Sequence, residues 1–246
     1  MKPTAELYNS LQLAFDHFNT ELFDGELPQV LFTNQRQHGV MGYFAPNRWA
    51  SNDGQQCHEI AINPLYVGKA TLIELMQTLV HEMVHCWQQC HGKPSRSGYH
   101  NKQWSNKMIE IGLMPSDTGK VGGALVGQHM GDYPAKSGKF IDGCQSLLKE
   151  KSFNLPWVDR FAFVQSRNTV VSNESIEALI DVDDDLVKLL TSRLENVFGE
   201  DSFILSGDIK KNTKAKYNCT GCNINVWGRP KLQIKCENCD LVLIEC

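Results

Sequence analysis

Apolar residues along this chain recur at two spacings, and the alternation between them outlines its elements. From Thr4 to about Phe23, residues Leu7, Leu11, Phe15, Phe18 and Leu22 return every three or four positions, which predicts a helix with one buried face; Asp24-Gly25 and Pro28 end it. Short apolar segments follow. Val30–Thr33, Gly39–Phe44 and Glu59–Ile62 are each read as a strand, with a turn signal at Asn52-Asp53-Gly54 and a stop at Asn63-Pro64. From Thr71 to Gln89 helical spacing returns: Leu72, Leu75, Met76, Leu79, Val80, Met83, Val84 and Trp87 cover most of the surface, so this helix should be buried. Thr71 and Glu74 form an S/T-x-x-E capping box at its start. The predicted order is helix, three-stranded antiparallel meander, buried helix.

Beyond it, His91-Gly92-Lys93-Pro94 breaks the chain, and His100, Trp104, Met108 and Ile111 form the apolar face of a further helix closed by Gly112 and Pro115. Gly119 to Gly131 is glycine-rich and unpatterned, which reads as a mobile surface loop or lid. Its Gly-Lys-Val-Gly-Gly run does not follow a strand, as a phosphate-binding loop would. Phe140–Leu148 predicts a short helix and Phe161–Val164 a short strand. Between Gln165 and Asp208 the composition turns polar and acidic, with Asp181, Asp183, Asp184 and Asp185 in one run, read as a solvated face or helix-start charge, and one amphipathic helix at Leu186–Phe198.

The buried helix carries the chemistry. His81, Glu82 and His85 form H-E-x-x-H: histidines four apart lie on one helical face and can close on one zinc ion, and the glutamate beside the first can take a proton from the attacking water. Burying such a triplet in an apolar helix without metal or partners would cost several kcal/mol. A catalytic zinc needs a third protein ligand, and two histidines compete. His91 has the metzincin distance, but Gln88 stands where that motif needs glycine; on a continuing helix His91 lies roughly 9 Å beyond His85. His100, after a loop, is the preferred third ligand, with a capping or core role as the other reading.

These residues resemble a family. His81-Glu82-Met83-Val84-His85, then Gly98-Tyr99-His100 and Trp104, is similar to the SprT-like metallopeptidases, which include the eukaryotic Spartan proteases. Glu21–Pro28, Gly39–Phe44 and Ile62–Pro64 resemble the family's lead-in. The resemblance covers about Leu7 to Leu113 and the C-terminal cysteine module. It implies an α+β, zincin-like peptidase domain, with His81, His85 and His100 as zinc ligands and Glu82 as general base. It also implies substrates that are proteins on, or crosslinked to, DNA. The domains expected are 1–117 (peptidase), 118–212 (a family-divergent middle segment and acidic spacer) and 213–246 (a zinc ribbon).

Cysteine spacing defines the last of these. Cys219, Cys222, Cys236 and Cys239 make two C-x-x-C knuckles separated by strand-like stretches, a specific signal for a closed, structural four-cysteine zinc site. Gly221 and Asn238 are expected to take positive φ in the knuckles. Two zinc ions are therefore expected, one catalytic and one structural. Lys210, Lys211, Lys214, Lys216, Arg229, Lys231 and Lys235 make this end basic within a chain of net charge −4. Single-stranded or damaged DNA is thus a partner to weigh, with Trp227 either stacking on an unpaired base or, as preferred, packing in the ribbon's own core. The 246 residues contain no apolar run long enough to span a bilayer and no signal-peptide core, so a cytoplasmic protein without a membrane partner is expected. Two other functions stand beside the endopeptidase: a DNA-binding or transcription-associated zinc protein without activity, and a zinc hydrolase of small molecules.

Overall fold

Helix α1 (Pro3–Phe23) buries Leu11, Phe15, Phe18 and Leu22 on one face, begins with proline in its first turn and ends at Asp24 in the left-handed region (φ 54°). The computed structural model describes residues 2–37, 39–151, 153–162, 178–179, 182–199, 202 and 214–246. They divide into two units, Met1–Phe203 and Ile204–Cys246.

In the first unit β1 (Val30–Asn34), β2 (Gly42–Ala50) and β3 (Gln56–Ile62) form a sheet of order β1-β3-β2. The expected antiparallel meander is corrected here: β3 is central, antiparallel to β2 but parallel to β1. The cause lies in the connections. The tight Ser51–Gln55 turn holds β2 against one edge of β3, while the chain leaving β1 crosses the end of β3. There Gln35 N–H donates to the Ile62 carbonyl (3.1 Å) and Asn63 N–H to that of Met41 (2.8 Å). The pattern of apolar residues encodes which face of a strand is buried, not which edge it offers.

After the one-turn helix α2 (Pro64–Val67) comes α3 (Leu72–His91), with Thr71 as N-cap and both arms of its capping box formed with Glu74. Ile73, Val80, Met83 and Val84 on α3 are fully buried, each contributing about 1.5–3 kcal/mol by leaving water. β4 (Tyr99–His100) and α4 (Lys102–Glu110) follow. His100 therefore precedes the helix instead of opening it, because Asn101 is the N-cap and accepts from Gln103 N–H and Trp104 N–H.

The segment read as a surface loop, Gly119–Gly131, is turn and loop over 119–126 and is corrected at its end, where strands form. After β5 (Leu113–Ser116), β6 (Gly127–Gln128) pairs with β4, and β7 (Gly131–Pro134) pairs with β5. Strands this short leave no alternation to detect. Helix α5 (Lys139–Lys151) packs on α1, where the Phe18 and Phe140 rings stack 6.1 Å apart. The single helix expected at Leu186–Phe198 is two, α6 (Asp184–Thr191) and α7 (Leu194–Phe198), broken where Arg193 bridges Thr71 and Leu194 N–H donates to the Ala70 carbonyl. Asp183 caps α6. Phe163 and Val164 of the predicted strand, Asp181, Lys210, Lys211 and most of Gln165–Asp208 lie outside the described residues.

The second unit joins β8 (Ala215–Asn218), β9 (Asn225–Gly228) and β12 (Ile244–Glu245) in one sheet and β10 (Lys235–Cys236) with β11 (Leu241–Val242) in another. Tyr217 is its buried centre, its hydroxyl donating to the Arg229 carbonyl at 2.6 Å.

Candidate metal centre

Helix α3 sets His81 and His85 one turn apart, and the β4–β6 pairing fixes His100 opposite them. One ring nitrogen from each lies within 4.8 Å of the others. His85 Nε2 and His100 Nε2 are 3.1 Å apart. Two nitrogens bound at about 2.0–2.1 Å to one tetrahedral ion would stand about 3.3 Å apart, so the residues fit a metal. The outer nitrogens face acceptors: His81 Nδ1 meets Asp132 Oδ2 at 3.0 Å, and His100 Nδ1 meets the Gly127 carbonyl at 3.4 Å. Carboxylate and carbonyl oxygens accept only, so both Nδ1 atoms carry hydrogen and both Nε2 atoms keep a lone pair.

Trp104 walls this cluster. Its fully buried ring lies 4.3 Å from that of His100, 4.9 Å from His81 and 5.5 Å from His85. Burial, with the neighbouring histidines, holds His85 well below the ordinary histidine range and His100 down to about 4. Burial also disfavours charge on His81, but its hydrogen bond to Asp132 and the nearby carboxylates turn the net shift upward. Glu82 is buried between α3 and β2. Burial pushes its carboxyl up to about 7, against the lowering pull of His81 and the Phe44 backbone N–H bonded to it. His91 is elsewhere, its Nε2 facing the Glu26 carbonyl at 3.3 Å.

A second cluster, His58 from β3 with Cys86 and Cys90 from α3, also converges within 4.8 Å. Here the donor chemistry does not fit a metal. Asn47 N–H donates to His58 Nδ1 at 2.9 Å, so the ring's hydrogen sits on Nε2, 3.7 Å from Cys90 Sγ, and no lone pair points inward.

In the second unit Cys219, Cys222, Cys236 and Cys239 bring four sulfurs within 4.8 Å, with Cys222 and Cys236 3.6 Å apart. Sulfurs bound at about 2.3 Å to one tetrahedral ion stand about 3.8 Å apart, so this set fits as well. The backbone N–H groups of Cys222 and Gly221 lower the Cys219 thiol to about 7. The knuckle backbone differs from expectation: Asn223 (φ 59°) and Asp240 (φ 56°), one residue past each knuckle, take the left-handed region instead of Gly221 and Asn238. Gly221 is required for space, since a Cβ there would meet Cys239 Sγ at 2.9 Å. Trp227 is 66% exposed, which corrects the preferred reading that it packs in the ribbon core. The β8–β9 register sets Lys216 opposite it.

The fold and these clusters define an α+β protein with two groups of side chains positioned to bind metal ions. The chain belongs to the SprT-like family, whose model matches residues 11–120. It is 43% identical over 51 residues to an uncharacterized protein in the mucB 3' region of Salmonella typhimurium, a match covering 21% of this chain and 69% of that protein. No solved structure matches. Among the described residues no helix is long and apolar enough to cross a membrane.

Asp132 and Gly127 are the contacts that sequence reasoning missed. A single aspartate in a glycine-rich stretch has no spacing signal linking it to a histidine fifty-one residues earlier.

Proposed function

We propose that this chain is a zinc endopeptidase with a zincin-like catalytic domain. His81, His85 and His100 would hold the catalytic zinc, and Cys219, Cys222, Cys236 and Cys239 a structural one. The observation that carries the reading is the buried Glu82 carboxyl, set beside three histidines whose inward nitrogens converge. Zinc bound there would polarise the scissile carbonyl and acidify an attacking water. Glu82 takes the proton from that water and returns it to the leaving amine, a task for which an affinity near neutrality is suited. The Trp104 ring excludes bulk solvent from the histidine side. β2, at the edge of the sheet and bonded through Phe44 to Glu82, offers backbone groups to an extended peptide. That edge favours a peptide over a small-molecule substrate.

The division we propose puts the catalytic elements in 1–117, a supporting segment in 118–212 and a targeting ribbon in 213–246. Thiolate ligation needs a reducing compartment, so the protein is assigned to the cytoplasm. Exposed Trp227 with Lys216 beside it supports DNA contact by the ribbon, and hence substrates that are DNA-associated or DNA-crosslinked proteins. The same tryptophan is what favours the alternative of a DNA-binding or transcription-associated zinc protein without activity. Incubating the zinc-loaded chain with a DNA-binding protein, with single-stranded, double-stranded or no DNA, separates the two. New fragments of either protein are expected; their absence in every condition selects the alternative.

A further inference from the structure

The histidine centre takes part of its geometry from outside the H-E-x-x-H helix, in a segment with no metal ligand of its own. We propose that Asp132 is the positioning residue of this centre, orienting His81 for the metal while Gln77 orients Asp132. The inference rests on the metal-centre reading above.

The geometry is a relay of fixed roles. Asp132 stands on β7, anchored by the pairing of Pro115 with Asp132 and Ser116 with Gly131. Its Oδ2 lies 3.0 Å from His81 Nδ1, and both side chains are nearly buried, at 13% exposure for His81 and 8% for Asp132. A carboxylate only accepts, so Nδ1 carries the hydrogen and Nε2 keeps the lone pair that a metal needs. The other carboxylate oxygen is occupied too. Gln77, one helical turn before His81 and 8% exposed, donates through Nε2 to Asp132 Oδ1 at 3.1 Å and to the Asp132 carbonyl at 3.4 Å. Each carboxylate oxygen thus has its own donor, and the carboxylate cannot rotate without breaking both bonds.

Gln77 keeps this pose although its Oε1 is left buried without a partner, so its amide N–H is committed to Asp132. The same segment places the Gly127 carbonyl against His100 Nδ1. The stretch from Gly127 to Asp132 therefore supplies the outer hydrogen-bond acceptors of two of the three histidines. A ligating histidine held this way is oriented in advance and made more basic, and losing such a partner typically costs 10–100-fold in metal affinity.

The test is zinc affinity of the full chain, by chelator competition, with the cobalt(II) absorption of the histidine centre as a second readout. Asp132→Ala is expected to weaken the histidine-centre zinc by about 10–100-fold and to shift the cobalt bands, leaving the four-cysteine zinc in place. Asp132→Asn should fall between Asp132→Ala and wild type. Its carbonyl can still accept from His81 while Gln77 turns its orphaned Oε1 toward the new amide, but a neutral acceptor holds the ring about half as strongly. A purely structural role would lower the melting temperature of both variants and leave the affinity of the folded protein unchanged. Wild-type affinity in folded Asp132→Ala overturns the proposal; if that variant does not fold, wild-type affinity in the isosteric Asp132→Asn overturns it. His81→Ala separates the two levels: if it too keeps both zinc ions at wild-type affinity, the histidine centre itself is rejected.

Discussion

On β2, Gly42 sits beside Glu82 at a point where the Ala61 carbonyl and Thr78 leave no space for a side chain. A Cβ at Gly42 would stand 2.9 Å from the Ala61 carbonyl oxygen, 3.0 Å from Thr78 Cγ2 and 3.5 Å from Glu82 Cγ. Two of these neighbours are a paired backbone and a β-branched side chain, neither able to swing away. Gly42→Ala should therefore destabilise the chain by about 1–3 kcal/mol, read as a lower urea midpoint; an unchanged midpoint would show that β2 is free to move off the helix. At this scale the ligand candidates were legible because H-E-x-x-H is local. Placing His81 and His85 on one face requires only the helical repeat. Asp132 was not legible, since its partnership with His81 exists only after β5 and β7 pair.

Helix α3 owes its start to Thr71 and Glu74, whose reciprocal bonds (Glu74 N–H to Thr71 Oγ1 at 3.3 Å, Thr71 N–H to Glu74 Oε2 at 2.8 Å) meet donors the first turn leaves orphaned. Thr71→Ala should cost about 1 kcal/mol, seen as a drop in thermal midpoint; no drop would mean that the bridge from Arg193 holds the helix start without the cap. Elements of this kind are legible because their determinants lie within a few residues. The sheet shows the opposite case. Each of β1, β2 and β3 is foreshadowed by apolar runs, yet their order depends on how the chain returns to β2, where the Asn63 amide donates to the Gln37 and Val40 carbonyls, and apolar spacing carries no sign of that contact. His100 lies between. Asn101 is a good N-cap residue, and taking it as the helix start would have put His100 outside α4, where the structure has it.

Across the whole molecule, the two candidate centres should respond differently to metal removal. A strong chelator should unfold the four-cysteine unit, whose buried core among the described residues is little more than Tyr217, Cys219 and Leu243, while the first unit keeps its helical circular dichroism. Equal loss of structure in both units would place metal at the heart of the larger fold. Metal analysis of the untreated chain should give two zinc ions; one would remove one of the centres. Removing residues 213–246 should weaken binding to single-stranded DNA and flatten its salt dependence without releasing the histidine-centre zinc, whereas unchanged DNA binding would reject the ribbon as the targeting element. The most direct measurement of the function is a paired one: cleavage of a DNA-bound protein, or of the chain itself, by wild type and by Glu82→Gln, with zinc content determined on the same samples. The predicted result is equal zinc and equal fold in both, new peptide termini with wild type, and a rate at least about 10²-fold lower with Glu82→Gln. Equal cleavage by the two, or none by zinc-loaded wild type, would contradict a peptidase built on Glu82.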